Sequence, residues 1–195
     1  LGDVYKRQPL GKRQQFMKIA VTGANGHFGK ILVQFLREKN FEVKPSDLFP
    51  GRPEEGAFNC DVRDLGHLVS VFQGCDAVVH LAAFPGPWTQ PDAKVYQDNT
   101  VGSYNVLLAC ELLGIKKICQ ASSINAIGGV YSRLPTYDYF PVDEEHPTYS
   151  EDPYSLSKWI LEIQGDCFAR RREDVSISSM RFHGLLYRDF VEPRT

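Results

Sequence analysis

Residues 21–29 read VTGANGHFG, and this stretch is the strongest indicator of the fold because it spaces three glycines three residues apart. The apolar residues Ile19-Ala20-Val21 lead into it, and Ile31-Leu32-Val33 follow it. An apolar run, a glycine-rich turn and a second apolar run with helical spacing predict a strand, a tight loop and a helix.

This order is the context in which a loop binds a pyrophosphate. Gly23 would permit the tight turn, Gly26 would let the backbone approach the anion, and Gly29 would let the helix pack closely on the sheet. The helix N-terminus would then offer N–H groups and a partial positive charge. The spacing is GxxGxxG rather than GxGxxG, so a glycine-rich turn that binds nothing is the alternative.

Strand-like and helix-like runs alternate along the rest of the chain. The predicted strands cover 18–22, 41–47, 77–81, 117–121 and 175–182. The predicted helices cover 28–39, 65–72, 92–113 and 154–171. This rhythm predicts an α/β fold with a doubly wound parallel sheet, the Rossmann fold. The segment 125–153 has no clean period, and loops of this length are usually functional.

Composition narrows the class of protein. The chain has 195 residues, 43% of them hydrophobic, with a net charge of -2, which suits one globular domain and gives no reason to expect nucleic acid or a membrane as partner. No apolar run is long enough to span a bilayer. The 5 cysteines form no CxxC pair or Cys/His cluster, which predicts reduced thiols, a cytoplasmic location and no metal site.

The two ends suggest a fragment. Residues 1–16 are expected to be a non-native leader, because Met17 opens directly into the first predicted strand. Residues 17–195 are expected to be the N-terminal part of a longer protein.

Two acidic positions suggest how an adenosine would be held. Asp47 ends the second predicted strand, 24 residues after Gly23, where a carboxylate accepts hydrogen bonds from the ribose. A carboxylate there repels a 2′-phosphate and favours NAD over NADP, although Lys44 and Arg52 keep NADP open. The pair Asp61-Val62 could contact the adenine edge, or Asp61 could cap a helix.

The sequence YSLSK, residues 154–158, predicts the reactive groups. Tyr154 and Lys158 are four residues apart and share a helix face. A nearby ammonium favours the phenolate of a tyrosine, whose free pKa is about 10, so the pair could exchange a proton with a substrate. Ser122 or Ser123, at the end of the fourth predicted strand, could donate to a substrate oxygen. The alternative for Tyr154 and Lys158 is that they lie on an ordinary, partly exposed helix face without a catalytic role.

These motifs resemble, in order, the extended short-chain dehydrogenase/reductase superfamily and its NAD-dependent epimerase/dehydratase family. The resemblance covers residues 17–187 and rests on TGANGHFG, Asp47, Asp61-Val62, HLAA, DNTVGSYNVL, ASS and DPYSLSK. It implies that Asn99 holds Lys158 through water, Ser123 orients the substrate and Tyr154 is the acid/base. Ser123 is preferred to Ser122 because its spacing to Gly128 matches the family. The implied cofactor-binding residues are Gly23, Asn25, Gly26, His27, Phe28, Gly29, Asp47, Asp61, Val62, Leu81, Ala82, Ala83, Asn99, Ala121, Tyr154 and Lys158.

The resemblance implies an NAD-dependent oxidoreductase or epimerase that acts on a sugar or sugar nucleotide. It also implies that residues 17–195 are a truncated NAD(P)-binding Rossmann domain without its C-terminal substrate lobe. The forms SSINAIG and FPG resemble more closely the uronate-dehydrogenase-like and uncharacterised sugar epimerase branches. A reductase that uses NADPH and a non-catalytic dinucleotide-sensing module are two competing hypotheses, and a homodimer is left open. Trp88 could stack on a sugar or plug the base of its loop.

Overall fold

A computed structural model describes residues 16–49 and 56–184, and its centre is one parallel sheet. The strands are β1 Lys18–Thr22, β2 Glu42–Asp47, β3 Phe58–Asn59, β4 Ala77–His80, β5 Lys117–Ser123 and β6 Ser176–Phe182. The helices are α1 His27–Glu38, α2 Leu65–Phe72, α3 Asp92–Leu113 and α4 Pro153–Ala169. The expected leader 1–16 lies outside the described residues except for Phe16.

The order of the strands is β3-β2-β1-β4-β5-β6, and every adjacent pair is parallel. The chain moves outward from β1 to β3 and then returns to the other side of β1 for β4. This reversal opens a crevice at the carboxyl ends of β1 and β4, where doubly wound sheets bind their ligands. The predicted Rossmann fold is confirmed.

The central strand β1 is buried on both faces of the sheet, and its residues alternate between two apolar clusters. In β1, Ala20 belongs to an apolar cluster with Phe72 and Leu107, on the side of α2 and α3. Its neighbours Ile19 and Val21 belong to the opposite cluster, with Val33 of α1. The predicted strand therefore has apolar residues on both sides, as a central parallel strand requires.

The helix ends follow local signals. Asp152 caps α4 by accepting from the Ser155 N–H at 2.8 Å, and Pro153 occupies the first turn, where it removes no intrahelical bond. Helix α3 ends at Gly114, whose φ of 69° is the left-handed conformation common at helix ends. The bounds predicted for α2 and α3 agree with the structure, and α4 begins one residue before its predicted start.

Two strands differ from their prediction by two residues, whereas β2, β4 and β6 differ by one. Strand β3 escapes prediction because its 2 residues are too few for a periodic signal; it forms through pairing with β2. Strand β5 runs to Ser123 rather than to residue 121, because β6 pairs with it over its whole length. Both serines that close β5 are therefore part of the sheet, and their side chains are buried.

The long segment between β5 and α4 is organised around a histidine. One 3-10 turn, Ile124–Ile127, opens it, and no helix or strand follows before α4. The imidazole of His146 is 3% exposed; its Nε2 accepts from the Asp138 N–H at 2.9 Å and its Nδ1 donates to the Pro147 carbonyl at 2.7 Å. Rings pack around it, namely Tyr137, Tyr139 and Tyr149.

Candidate active site

The glycine loop has no room for side chains at two of its three glycines. A Cβ at Gly29 would lie 2.1 Å from the Gly23 carbonyl oxygen, and a Cβ at Gly23 would lie 2.6 Å from the Ala82 nitrogen. Gly23 also has a φ of +69°, which other residues rarely adopt. Gly26 is the N-cap of α1 and contributes no side-chain cap, so the backbone itself forms the wall at this helix N-terminus.

A cavity of about 450 Å³ opens beside this loop, within the size range of small-molecule sites. It contains ten of the predicted cofactor residues. The predicted residues that line it are Gly23, Asn25, Gly26, Asp47, Asp61, Val62, Leu81, Ala82, Ala83 and Asn99. Residues that the prediction missed also line it: Leu48, Phe49, Cys60, Arg63, Phe84, Pro85 and Asp98.

The remaining predicted cofactor residues do not line this cavity. His27 begins α1. The ring of Phe28 packs edge-on against Phe182, with 4.8 Å between centroids, and Gly29 lies against the loop backbone. Ala121, Tyr154 and Lys158 lie further along the same edge of the sheet. The predicted residues that line the cavity include those expected to hold the adenosine and the pyrophosphate.

Asp47 is held in place by backbone donors. Its carboxylate accepts from the Asn25 N–H at 3.0 Å and from the Phe49 N–H at 3.1 Å. The side-chain amide of Asn25 donates in turn to the Phe49 carbonyl at 2.7 Å. These bonds join the glycine loop to the end of β2, so the carboxylate lies at the cavity wall in a defined orientation.

A buried histidine supports the same loop from below. The Nδ1 of His80 lies 2.8 Å from the Thr22 hydroxyl, which also accepts from the Ala82 N–H at 3.4 Å. Burial lowers the pKa of His80 to about 3, and the charge of Lys158 acts in the same direction. The imidazole is therefore neutral near pH 7, and its Nδ1 can accept a hydrogen bond from the Thr22 hydroxyl.

The predicted reactive side chains come together at the carboxyl end of β5. Ser123 lies close enough to Tyr154 to lower the pKa of its phenol, and the Ser123 hydroxyl accepts from the Asn125 N–H at 3.2 Å. The Lys158 Nζ lies 5.7 Å from the centroid of the Tyr154 ring. These side chains are 4% exposed for Ser123, 8% for Tyr154 and 5% for Lys158. Their burial removes bulk water from the groups that would handle a proton.

The two ionisable groups of this cluster respond differently to burial. The Nζ of Lys158 donates to the Ala121 carbonyl at 2.6 Å, and burial lowers the pKa of Lys158 to about 8. Burial raises the pKa of Tyr154, while the hydrogen bond with Ser123 opposes that rise. Burial is the larger of these effects on the Tyr154 pKa. The depression of the phenol pKa that the sequence suggested depends on a cationic nicotinamide ring as well as on Lys158, and it stays a prediction.

The structure separates the two adjacent serines. Ser122 hydrogen-bonds to Glu162, and Glu162 pairs with the Arg181 guanidinium through contacts of 3.0 and 2.8 Å. Ser122 thus belongs to a network behind the sheet edge. Ser123 is the serine beside Tyr154, in agreement with the preference drawn from its spacing to Gly128.

Asn99 has different direct partners from those expected. Its side chain accepts from the Phe84 N–H at 2.8 Å and donates to the Phe84 carbonyl at 3.2 Å. It also donates to the Ser157 hydroxyl at 3.0 Å, one residue before Lys158. Asn99 therefore connects the cavity wall directly to the turn of α4 that carries Tyr154 and Lys158.

The expectation that Asp61 could cap a helix is wrong. The helix cap belongs to Asp64, whose carboxylate accepts from the His67 N–H at 3.1 Å. Asp61 instead forms an ion pair with Arg63 at 2.6 Å, and the hydrogen bond from Arg63 lowers the pKa of the Asp61 carboxyl. Asp61 remains ionised at the cavity wall.

Trp88 does not plug its loop. Its side chain is 70% exposed, and its ring meets Tyr131 edge-on with 4.9 Å between centroids. Tyr131 lies 6.0 Å from the Tyr154 ring, again edge-on. An aromatic row therefore runs from the predicted acid/base outward to an exposed indole.

Residues 16–49 and 56–184 contain neither a cluster of metal ligands nor a membrane-spanning helix. Within these ranges, no group of three or more His, Cys, Asp or Glu side chains is arranged to hold a metal ion. Over the same residues, the helices are too short or too polar to cross a bilayer.

Similarity to known proteins establishes the family. The sequence model of the NAD dependent epimerase/dehydratase family matches residues 19–184. The chain belongs to this family. It is 33% identical over 186 residues to an L-arabinose 1-dehydrogenase (NAD(P)(+)) of Haloferax volcanii, covering 91% of this chain and 70% of that protein. It is 34% identical over 154 residues to a putative UDP-glucose 4-epimerase of Methanocaldococcus jannaschii, covering 74% of this chain and 48% of that protein.

Solved structures of the superfamily share the fold. A short-chain dehydrogenase/reductase superfamily protein from Agrobacterium tumefaciens, crystallised with bound NAD, superposes with a TM-score of 0.71 at 28% identity. The match covers 85% of the chain described here and 48% of the Agrobacterium protein chain. The chain thus spans about half the length of that structure.

Proposed function

We propose that the protein is an NAD-dependent oxidoreductase or epimerase of a sugar or sugar nucleotide, in which Tyr154 is the acid/base. The observation that carries this proposal is the buried cluster of Ser123, Tyr154 and Lys158 beside a cavity built on a glycine loop. Relatives named as an L-arabinose dehydrogenase and a putative UDP-glucose 4-epimerase support the substrate class.

The residues present fit a dinucleotide. The approach of backbone to backbone at Gly23 and Gly29 leaves peptide N–H groups, rather than side chains, to hold a pyrophosphate. Asp47 would bind the adenosine ribose, and Lys158 the ribose of the nicotinamide. When bound, the cofactor supplies the hydride acceptor and donor.

The choice of NAD over NADP rests on charge. The Asp47 carboxylate would repel a 2′-phosphate, and the nearby Arg63 is already neutralised by Asp61 and Asp98. We expect NAD to bind at least about tenfold more tightly than NADP, since tenfold corresponds to roughly 1.4 kcal/mol. Calorimetric titration with each dinucleotide measures the preference, and equal dissociation constants would contradict it.

The chain's own groups then handle one proton. The Ser123 hydroxyl would donate to the reacting oxygen of the substrate and orient it beside the Tyr154 phenol. Because burial raises the pKa of Tyr154, the resting phenol is protonated and ready to donate to a carbonyl. In the oxidative direction the phenol must first lose its proton, and the Lys158 ammonium would stabilise the resulting phenolate. That phenolate would then accept the proton of the substrate hydroxyl and become the neutral phenol again.

Replacement of Tyr154 by Phe tests this role. We expect kcat to fall by roughly 10²–10⁴, the usual contribution of a positioned acid/base, while the dissociation constant for NAD changes little. The measurement is NADH absorbance with aldoses, and product analysis with UDP-sugars. Tyr149→Phe is the matched control, because that hydroxyl bonds to Asp138 at 3.1 Å in the long loop, away from the cluster. A Tyr154→Phe enzyme with full activity would refute the assignment.

A further inference from the structure

The guanidinium of Arg63 joins two carboxylates from different parts of the fold. Its Nε and Nη2 form a fork on Asp61, at 2.9 Å to Oδ1 and 2.6 Å to Oδ2. Its remaining nitrogen, Nη1, donates to the Asp98 Oδ2 on α3 at 2.9 Å. Planar, bidentate pairs of this kind fix the orientation of the carboxylate as well as its position.

The charges of this network are balanced. Asp98 also accepts from Lys94, one helical turn earlier, at 2.8 Å, so two carboxylates face two cations. The side chain of Asp98 is 16% exposed and that of Asp61 is 24% exposed. Partial burial reduces solvent screening of both pairs, so they hold their geometry more firmly than a surface ion pair would.

The backbone of the same loop is anchored separately. The Asn105 amide donates to the Arg63 carbonyl at 2.8 Å and to the Val62 carbonyl at 3.3 Å. Gly102 makes room for Val62, since a Cβ there would lie 2.7 Å from its Cγ2. These contacts hold the main chain of the loop on α3 without the side chain of Arg63. The particular contribution of the guanidinium is therefore the orientation of the Asp61 carboxylate.

The contacts of Asp61 determine which acceptor site is left. Its Oδ1 accepts from both the backbone N–H and the Nε of Arg63, each at 2.9 Å. Its Oδ2 accepts the short bond from Nη2 and a longer contact of 3.1 Å from Nε. The Nε–H is shared between the two oxygens and lies nearer to Oδ1. Oδ2 therefore has one full donor, Nη2, and keeps more capacity than Oδ1 to accept a further hydrogen bond.

Asp61 and Arg63 line the cavity that we assign to the adenosine end of the dinucleotide. We propose that Arg63 is a positioning residue that aims the Oδ2 of Asp61 at the exocyclic amino group of the adenine base. This inference rests on the proposed function. The chain would then read a hydrogen-bond donor on the base edge, and a base that carries a carbonyl there would meet an acceptor opposite an acceptor.

The test compares NAD with nicotinamide hypoxanthine dinucleotide, which has a carbonyl in place of the amino group. In the intact protein we expect the wild type to bind NAD at least about tenfold more tightly, the value of one hydrogen bond to a charged group. Arg63→Met should reduce this ratio to about twofold or less, mainly by weakening NAD. Arg63→Lys keeps the charge but cannot form the fork, and it should lie between the two.

Lys94→Met is the matched control, because it removes a cation from Asp98 and leaves the fork on Asp61. Its NAD-to-hypoxanthine ratio should equal that of the wild type. Should Arg63→Met weaken both dinucleotides equally, or leave the ratio intact, Arg63 is merely part of the scaffold and the inference is overturned. Arg63→Lys decides the question if Arg63→Met does not fold. A wild type that binds neither dinucleotide defeats the proposed function itself.

Discussion

The two ends of the site are built from different materials. At the cofactor end, main chain packs on main chain, and an added Cβ at Gly23 or Gly29 would come within 3 Å of backbone atoms. At the opposite end, long side chains dominate. Trp88 is 70% exposed, and its ring meets Tyr131 edge-on.

This difference shows where the fold is constrained and where it can vary. A backbone-to-backbone contact tolerates almost no change, because no rotamer can relieve a clash between main-chain atoms. An exposed ring can be exchanged with little effect on packing. We therefore expect substitutions at the cofactor end to act on stability and cofactor binding together, and those at the aromatic end to act on substrate alone.

The largest effect should come from Gly29→Ala. Its Cβ would lie 2.1 Å from the Gly23 oxygen and 2.7 Å from Ala24, which forces the loop and helix α1 apart. We expect a loss of about 4 kcal/mol or more in the free energy of unfolding, measured by urea denaturation. Gly74→Ala is the control, since that glycine has a φ of +74° but no atom within 4 Å, and it should lose only about 1 kcal/mol. Equal losses would contradict the comparison.

An effect of intermediate size on the free energy of unfolding is expected at Lys158, which belongs to the buried cluster with Ser123 and Tyr154. Burial lowers its pKa to about 8, so a charged lysine destabilises the native state near pH 7 by an amount on the order of 3 kcal/mol. Lys158→Met removes this penalty but leaves the Ala121 carbonyl without its donor, at a loss of about 1–3 kcal/mol. We expect a net gain of about 1 kcal/mol in stability at pH 7 and a loss of activity.

The pH dependence identifies the cause. Between about pH 8 and the unfolded-state pKa of about 10.4, the unfolded lysine holds its proton and the native one has lost it. The wild type therefore gains stability relative to Lys158→Met as the pH rises through this window. Chemical denaturation at pH 7, 8.5 and 10 measures the difference, with Lys30→Met, an exposed position on α1, as the control. A difference that does not change with pH would disprove the explanation.

The smallest effect on stability is expected at the aromatic end. Trp88→Ala should change the free energy of unfolding by less than about 0.5 kcal/mol and leave NAD binding unaltered. If the indole contacts the sugar, KM should rise by roughly tenfold with little change in kcat, the magnitude of one aromatic contact. Steady-state kinetics measure both constants. Leu112→Ala, another exposed apolar residue at 63%, is the control, and an unchanged KM would remove Trp88 from the substrate site.

The sequence predicts the elements better than their ends. Helices α2 and α3 have their predicted bounds, since a regular apolar spacing of one or more turns is a strong local signal. Strand β3 escapes prediction because its 2 residues exist only through pairing with β2. The extension of β5 to Ser123 has the same cause, because β6 supplies its partner.

Candidate residues are predictable where their chemistry is local. Tyr154 and Lys158 share a helix turn, and Asp47 closes a strand. Their spacing makes them candidates, and the order of the motifs along the chain selects them over an ordinary helix face or strand end. Arg63 is missed because an arginine two residues after an aspartate is ordinary on any surface. Its partner Asp98 lies 35 residues away, and Thr22 and His80 are separated by 58 residues. Such pairs carry no signal in a single sequence.

The parallel α/β sheet and the glycine loop follow from local pattern alone, because strand and helix periods and the missing Cβ of glycine are properties of a few neighbouring residues. The contacts of individual side chains required the assembled molecule: Asn99 bonded to Ser157, Asp61 paired with Arg63, and a lysine with its pKa lowered by burial. Each of these depends on distances between segments and on exclusion of water, and both arise only when the sheet has formed.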